Sequence, residues 1–256
     1  VTTIPPTTVL FLGGNGHAGV RLAPARRALA GQGGPFALVD VPYAGFELRP
    51  RAASLDAFLE GVAASVETAG GGALVYGTGI GGLFFLCLRA RGRLLDVPTV
   101  LQAPVLWGLE ARWFPRLMRL PGAARFAHSL FGRRAFQDRF LVRYLRRPLS
   151  MEMRALFFAG YLRCTAFPDF FRWLTPALLR ELEAAFRADP SKLDGIRFWW
   201  GAHDAVVSPE ELKRTEAALG RAFPVRTFPE WGHYPYLDDP EGWVAALTEE
   251  VRAARA

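Results

Sequence analysis

Apolar residues recur along this chain in short runs of strand length, each bounded by turn-forming residues: TTVLFL, FALVDV, ALVYG, PTVLQA, IRFWWG and VRTF. Continuous apolar runs of this length predict strands buried on both faces, as in a parallel sheet covered by helices. Between the first four runs the spacing becomes helical, over residues 20–32, 54–68 and 83–91. That alternation predicts an α/β fold with a mainly parallel sheet of about six strands and helices on both faces. The fifth run follows a long stretch without strand signals, which predicts a helical insertion at about residues 106–190. Later helix starts carry their own markers. In SPEE, Ser208 stands at the N-cap, Pro209 at the first helical position and Glu211 where it would close a capping box; TPALLREL starts a helix likewise at Thr175. No internal repeat or low-complexity linker divides the chain, so residues 1–256 are expected to form one domain with the insertion as a cap.

Composition narrows the class. A chain of 256 residues, 51% of them hydrophobic, can bury one large core. Its longest apolar stretch, around Leu83 to Leu88, is far shorter than the ~20 residues of a membrane span and is closed by Arg89, so no transmembrane segment is expected. The first residues show no basic segment followed by an apolar run and cleavage site, and a cytoplasmic location is expected. Cys87 and Cys164 lie in apolar or aromatic sequence without metal spacing, which predicts buried, reduced thiols.

The net charge of +7 is concentrated. Residues 108–190 hold fifteen arginines against seven acidic residues, together with fifteen aromatic residues in runs such as RWFPRLMRL, RAFQDRFLVRYLRR and FPDFFRWL. Basic residues interleaved with aromatics suit nucleic acid, but none of the usual binding modules is present and no nucleic-acid partner is expected. The pattern also fits helices with apolar faces inward and arginines solvated, or a surface attracting an anionic amphiphile or membrane. The expected ligand is a small apolar or anionic molecule.

Two glycine clusters compete for a chemical role. In GGNGHAG, Gly14, Gly16 and Gly19 have dinucleotide-binding spacing and are followed by a helix, a strand and Asp40. Gly77, Gly79 and Gly82 repeat that spacing, which shows how readily a chain with 26 glycines produces it. The reductases with such a start also need a Tyr and a Lys four residues apart, and neither Lys192 nor Lys213 is so placed. No cofactor is expected.

The C-terminal third points elsewhere. FWWGAHDAVV puts Asp204 in a loop just past a strand, and FPEWGHYPYLDDP puts His233 past the next one. Side chains at the carboxyl ends of parallel strands converge on one crevice. With these loops the chain resembles the α/β-hydrolase family along nearly its whole length. LFLGGNGHAG resembles that family's oxyanion loop, VDVPYAGF the turn after the following strand, and GTGIGG the G-x-S-x-G nucleophile elbow. The family order of nucleophile, acid and histidine is kept as position 79, Asp204 and His233, and the insertion falls where the family carries a cap. The resemblance implies hydrolysis of ester- or acyl-type apolar substrates, with backbone N–H groups near Asn15 and Ile80 forming an oxyanion site. Two departures stand out. The antiparallel strands that usually open the family's sheet are missing, and Gly79 occupies the place of the nucleophilic serine.

A covalent acyl-enzyme needs an oxygen, sulfur or carboxylate at that tip within reach of the histidine, and glycine supplies none. Thr78 sits one residue early and should point away from the histidine; Cys87, two turns into the following helix, is expected in the core. Three function classes stay open. One is a serine-hydrolase relative inactive as written, whether Gly79 is natural or replaces a serine. Another uses His233 and Asp204 as a general base without a covalent step, as in cofactor-free dioxygenases and some lyases of this fold. The last is a non-catalytic binder of an apolar or anionic ligand. His203, beside Asp204, is expected to hydrogen-bond within its loop; His17 and His128 have no partner readable from the sequence, and no metal site is expected.

Overall fold

The computed structural model describes residues 8–69, 73–105, 107, 108 and 112–254, and of Ala124 the backbone alone. Residue 106, where the insertion was expected to begin, and both chain ends lie outside these residues. The six strands are β1 (Thr8–Leu12), β2 (Ala37–Asp40), β3 (Leu74–Thr78), β4 (Thr99–Gln102), β5 (Ile196–Gly201) and β6 (Val225–Phe228). They form one sheet in the order β2-β1-β3-β4-β5-β6, with every pairing parallel. All five residues of β3 and all four of β4 are buried, as their unbroken apolar runs require. Register aligns the carboxyl ends: Leu12 pairs with Gly77, Thr78 with Gln102 and Gly201 with Phe228. Strand order reverses between β1 and β3, which opens a crevice beyond their carboxyl ends.

Helices α1 (Ala23–Gly31), α2 (Leu55–Thr68) and α3 (Ile80–Ala90) follow the first three strands. Between β4 and β5 run α4 (Trp113–Met118), α5 (Ala123–Phe131), α6 (Arg134–Tyr144), α7 (Met151–Leu162), α8 (Phe167–Trp173) and α9 (Pro176–Ala188). After β5 comes α10 (Pro209–Leu219), and after β6 come α11 (Pro235–Asp238) and α12 (Pro240–Ala253). Thr175 caps α9 as expected, accepting from the Leu178 N–H at 3.1 Å. Ser208 stands at the N-cap of α10 with Pro209 next, but the capping box does not form. The Glu211 carboxylate turns instead to Arg112, where an ion pair is added to the hydrogen bond. Helix α3 starts at Ile80, three residues before the helical spacing suggested. Its glycines hide the start, yet Gly81 is required: a Cβ there would fall 2.3 Å from the Leu12 carbonyl oxygen.

The insertion shares the core of the sheet domain. Phe170 of α8 packs 5.1 Å from Phe84 of α3 and 5.4 Å from Phe58 of α2, and all three are at most 2% exposed. Burying each such ring contributes ~1.5–3 kcal/mol. Cys87 and Cys164 are free and buried, as the sequence suggested. No described helix is long and apolar enough to cross a membrane.

Candidate active site

Strand β3 passes into α3 through a single residue. Gly79 has φ 55° and ψ −121°, a conformation that residues with a Cβ rarely adopt. Its carbonyl accepts from Val105 N–H at 2.9 Å and its N–H donates to the Gln102 carbonyl at 3.2 Å, so the turn is held against the end of β4. A Cβ built on Gly79 would stand 3.6 Å from Nε2 of His233. Thr78 faces away, fully buried, with its hydroxyl donating to Oε1 of Gln102 at 2.7 Å.

His233 and Asp204 meet at the carboxyl ends of β5 and β6. His233 Nδ1 lies 2.8 Å from Asp204 Oδ2, with the two side chains 7% and 0% exposed. The other carboxylate oxygen of Asp204 accepts from the N–H groups of Val206 and Val207 at 2.8 and 2.9 Å. Both of its oxygens are thus satisfied, which fixes the carboxylate in its loop and leaves Nε2 of His233 directed at Gly79. Burial without these partners would be costly.

Helix α3 directs its N-terminus, including Ile80, at the same turn, where unpaired N–H groups and the helix dipole favour negative charge. Asn15 lies in the turn after β1, and its side-chain oxygen is buried without a hydrogen-bond partner. Gly14 beside it borders the elbow residues, with a built Cβ 3.5 Å from the Thr78 carbonyl.

The insertion is tied to both loops. Arg112 donates to the Val206 carbonyl at 2.5 Å and to Glu211, gripping the Asp204 loop. The Tyr144 carbonyl accepts from the His233 N–H at 3.1 Å. Asp238 accepts from the N–H groups of Gly232, Arg146 and Arg147, joining the His233 loop to the end of α6. Burial pushes the Asp238 carboxyl above its ordinary value, against the pull of those N–H donors. Aromatic rings close over the histidine. Tyr144 meets His233 edge-on at 5.4 Å, stacks on Phe140 at 4.0 Å and on Tyr234 at 5.6 Å, and the Tyr161 and Tyr234 hydroxyls are 3.3 Å apart. Burial raises all three phenols, which stay neutral at physiological pH. Two surface clefts lie elsewhere, one at Arg112, Glu211 and Arg214 and one at the amino ends of β3 and β4; neither is lined by Gly79, Asp204 or His233.

Several residues fall where the sequence did not suggest. His17 has a partner: its Nε2 lies 2.9 Å from Asp40 Oδ1, so the acid of the dinucleotide-like pattern is occupied by a histidine of the preceding turn. His128 sits beside Phe167 with a buried, unpartnered Nε2. His203 is exposed, and its backbone N–H donates to the Trp231 carbonyl at 3.0 Å. Arg21, 1% exposed, belongs to no motif in the sequence; it donates to the Phe157 carbonyl and lies 3.9 Å over the Phe157 ring, pinning the turn after β1 to α7. Among the described residues no group of His, Cys, Asp and Glu could hold a metal ion.

Residues 9–247 match the family described as alpha/beta hydrolase. The chain belongs to that family. No curated protein sequence matches this alpha/beta hydrolase. Solved structures do, at low identity. The haloalkane dehalogenase DbeA-M1 loop variant from Bradyrhizobium elkanii is 17% identical, with a TM-score of 0.69 over 100% of this chain and 91% of that one. A membrane phospholipase A described as a bacterial virulence factor is 18% identical, with a TM-score of 0.65 over 98% of this chain and 80% of that one. At such identities the likeness carries the fold alone.

Proposed function

We propose that this alpha/beta hydrolase takes up ester- or acyl-type apolar ligands beneath a helical cap, keeps His233 and Asp204 as a general base, and forms no acyl-enzyme. One observation supports the reading: Gly79 turns β3 into α3 with φ 55° and ψ −121°, and a Cβ there would stand 3.6 Å from His233 Nε2, but glycine puts no reactive atom on that position. Thr78 is committed to Gln102. Burial pushes the thiols of Cys87 and Cys164 up to about 12, which makes them poor nucleophiles near neutrality.

Chemistry without a covalent step follows from what remains. Nε2 of neutral His233 takes a proton from a water or from the ligand, and Asp204 holds the Nδ1–H tautomer and stabilises the imidazolium that forms. Negative charge on the reacting oxygen would meet the N–H groups of Ile80 and of the turn around Asn15, in line with the helix N-terminus. Residues 1–256 act here as one domain, and the insertion between β4 and β5 serves as the cap. With the His233 side chain 7% exposed and Tyr144 packed edge-on against it at 5.4 Å, a ligand reaches Nε2 only after local opening, which makes entry a gated step. The same ring packing favours a second reading, a non-catalytic binder whose ligand displaces those rings.

Turnover of p-nitrophenyl esters, together with oxygen uptake on acidic heteroaromatic compounds, separates the two. General-base chemistry predicts a loss of ~10²-fold or more in His233→Ala and in Asp204→Asn. Turnover untouched by both substitutions would reject the dyad as the base.

A further inference from the structure

The segment formed by α4, α5 and the turn between them combines exposed apolar side chains with arginines. Trp113 and Arg116, spaced i and i+3 on α4, are exposed, as is Leu120 in the turn that follows, while Pro115 and Met118 are buried. On α5 the buried positions are Ala123, Ala127 and Phe131, leaving Arg125 and Phe126 outward. Trp113 is 71% exposed, Leu120 56% and Phe126 55%. Charge accompanies them. Residues 112–147 contain ten arginines and one acidic residue, Asp138, and Asp138 is engaged by Arg134 and Arg154. Among the described residues no carboxylate pairs with Arg116, Arg125 or Arg133.

We propose that this face docks on an anionic phospholipid surface, with Trp113, Leu120 and Phe126 entering the headgroup boundary and Arg116, Arg125 and Arg133 over the lipid phosphates. Exposed apolar and aromatic side chains accompanied by arginines are what interfacial binding requires: tryptophan settles at the headgroup level, and each basic residue is drawn by the leaflet's negative potential. A nucleic acid would satisfy the arginines but leave Leu120 in water. Docking here is peripheral, since no described helix is long and apolar enough to span. It does not depend on the chemistry at His233, although it sets lipid beside the insertion: Phe131, on the inner side of α5, stacks on Tyr161 at 4.4 Å.

Flotation of the whole chain with vesicles of phosphatidylcholine, with and without phosphatidylglycerol, tests the proposal. The chain should float with the anionic vesicles alone and detach as salt rises. Brominated lipid should quench Trp113, the most exposed tryptophan of the described residues, in wild type and not in Trp113→Phe. Because the side chains are exposed, the variants should fold as the parent does, which circular dichroism checks. Trp113→Ala and Phe126→Ala should weaken partitioning roughly ten-fold or more, and Arg116→Gln or Arg125→Gln about five-fold each. Arg252→Gln, on α12, should change it by less than about two-fold. No partitioning, equal partitioning onto phosphatidylcholine alone, or an equal loss in Arg252→Gln would overturn the proposal. So would salt-sensitive binding of a single-stranded oligonucleotide that depends on the same residues while vesicles are ignored.

Discussion

Gly79→Ser puts an oxygen back where this site has none. A serine Cβ at position 79 would stand 3.6 Å from His233 Nε2, and the Oγ, one bond further, comes within the reach of about 2.6–3.2 Å that a nucleophile and its base require. Asp204 already holds the far side of the imidazole at 2.8 Å. Loss of one triad member leaves a hydrolase with residual catalysis, so restoring it should raise acyl hydrolysis by ~10³-fold or more over the parent. Stability should move the other way. With φ at 55° and ψ at −121°, the residue lies outside the regions open to side chains with a Cβ, at a cost of about 1–3 kcal/mol. For a chain of this length that is a drop in Tm of roughly 3–10 °C. Gly79→Ala is the control, because it carries the same strain without the hydroxyl and should lose Tm with no gain in rate. The assay is p-nitrophenyl ester hydrolysis by the folded variants, with Tm from calorimetry. A folded Gly79→Ser variant no faster than Gly79→Ala would refute the elbow geometry, as would a serine introduced with no loss of Tm.

Cys87 and Cys164, with thiols pushed up to about 12 by burial, should resist iodoacetamide at pH 8 in the native chain and both react once it is unfolded; rapid native alkylation would show one of them open to the crevice. Burial also raises Glu211 above its ordinary value, and the Arg112 partner only partly offsets it. A carboxyl raised in the folded state holds its proton more tightly there, so the stability it withholds at neutral pH returns as pH falls through its folded pKa towards its unfolded one. Glu211→Gln should therefore raise Tm near pH 7 and make little difference near pH 4; a gain equal at both would place the effect outside the titration of this group.

Much of the sheet was legible because each strand is a short apolar run between turn residues, and the two C-terminal loops carry Asp204 and His233 on fixed strand ends. What stayed hidden is non-local. His17 and Asp40 lie 23 positions apart, and their 2.9 Å contact depends on the turn after β1 folding over the end of β2. The SPEE pattern satisfied every local rule for a capping box, yet Glu211 was claimed by Arg112, 99 positions away. The start of helix α3 is hidden in the sequence because glycine is a poor helix former, whereas close approach to β1 demands glycine at position 81. The arginine-rich insertion shows its charge in the sequence but not its ties: Arg112 to the Asp204 loop, and Tyr144 and Arg146 to the His233 loop, arise only when β5 and β6 bring both loops beneath it.

Intact-mass spectrometry of the parent chain after treatment with a fluorophosphonate probes the central claim most directly, since that reagent reports whether any side chain is activated by His233. The dyad without a nucleophile predicts an unmodified mass for the parent and one adduct, mapped to position 79, for Gly79→Ser. A stoichiometric adduct on the parent chain that disappears in His233→Ala would contradict the account, because it would mean that another residue of the crevice serves as the nucleophile.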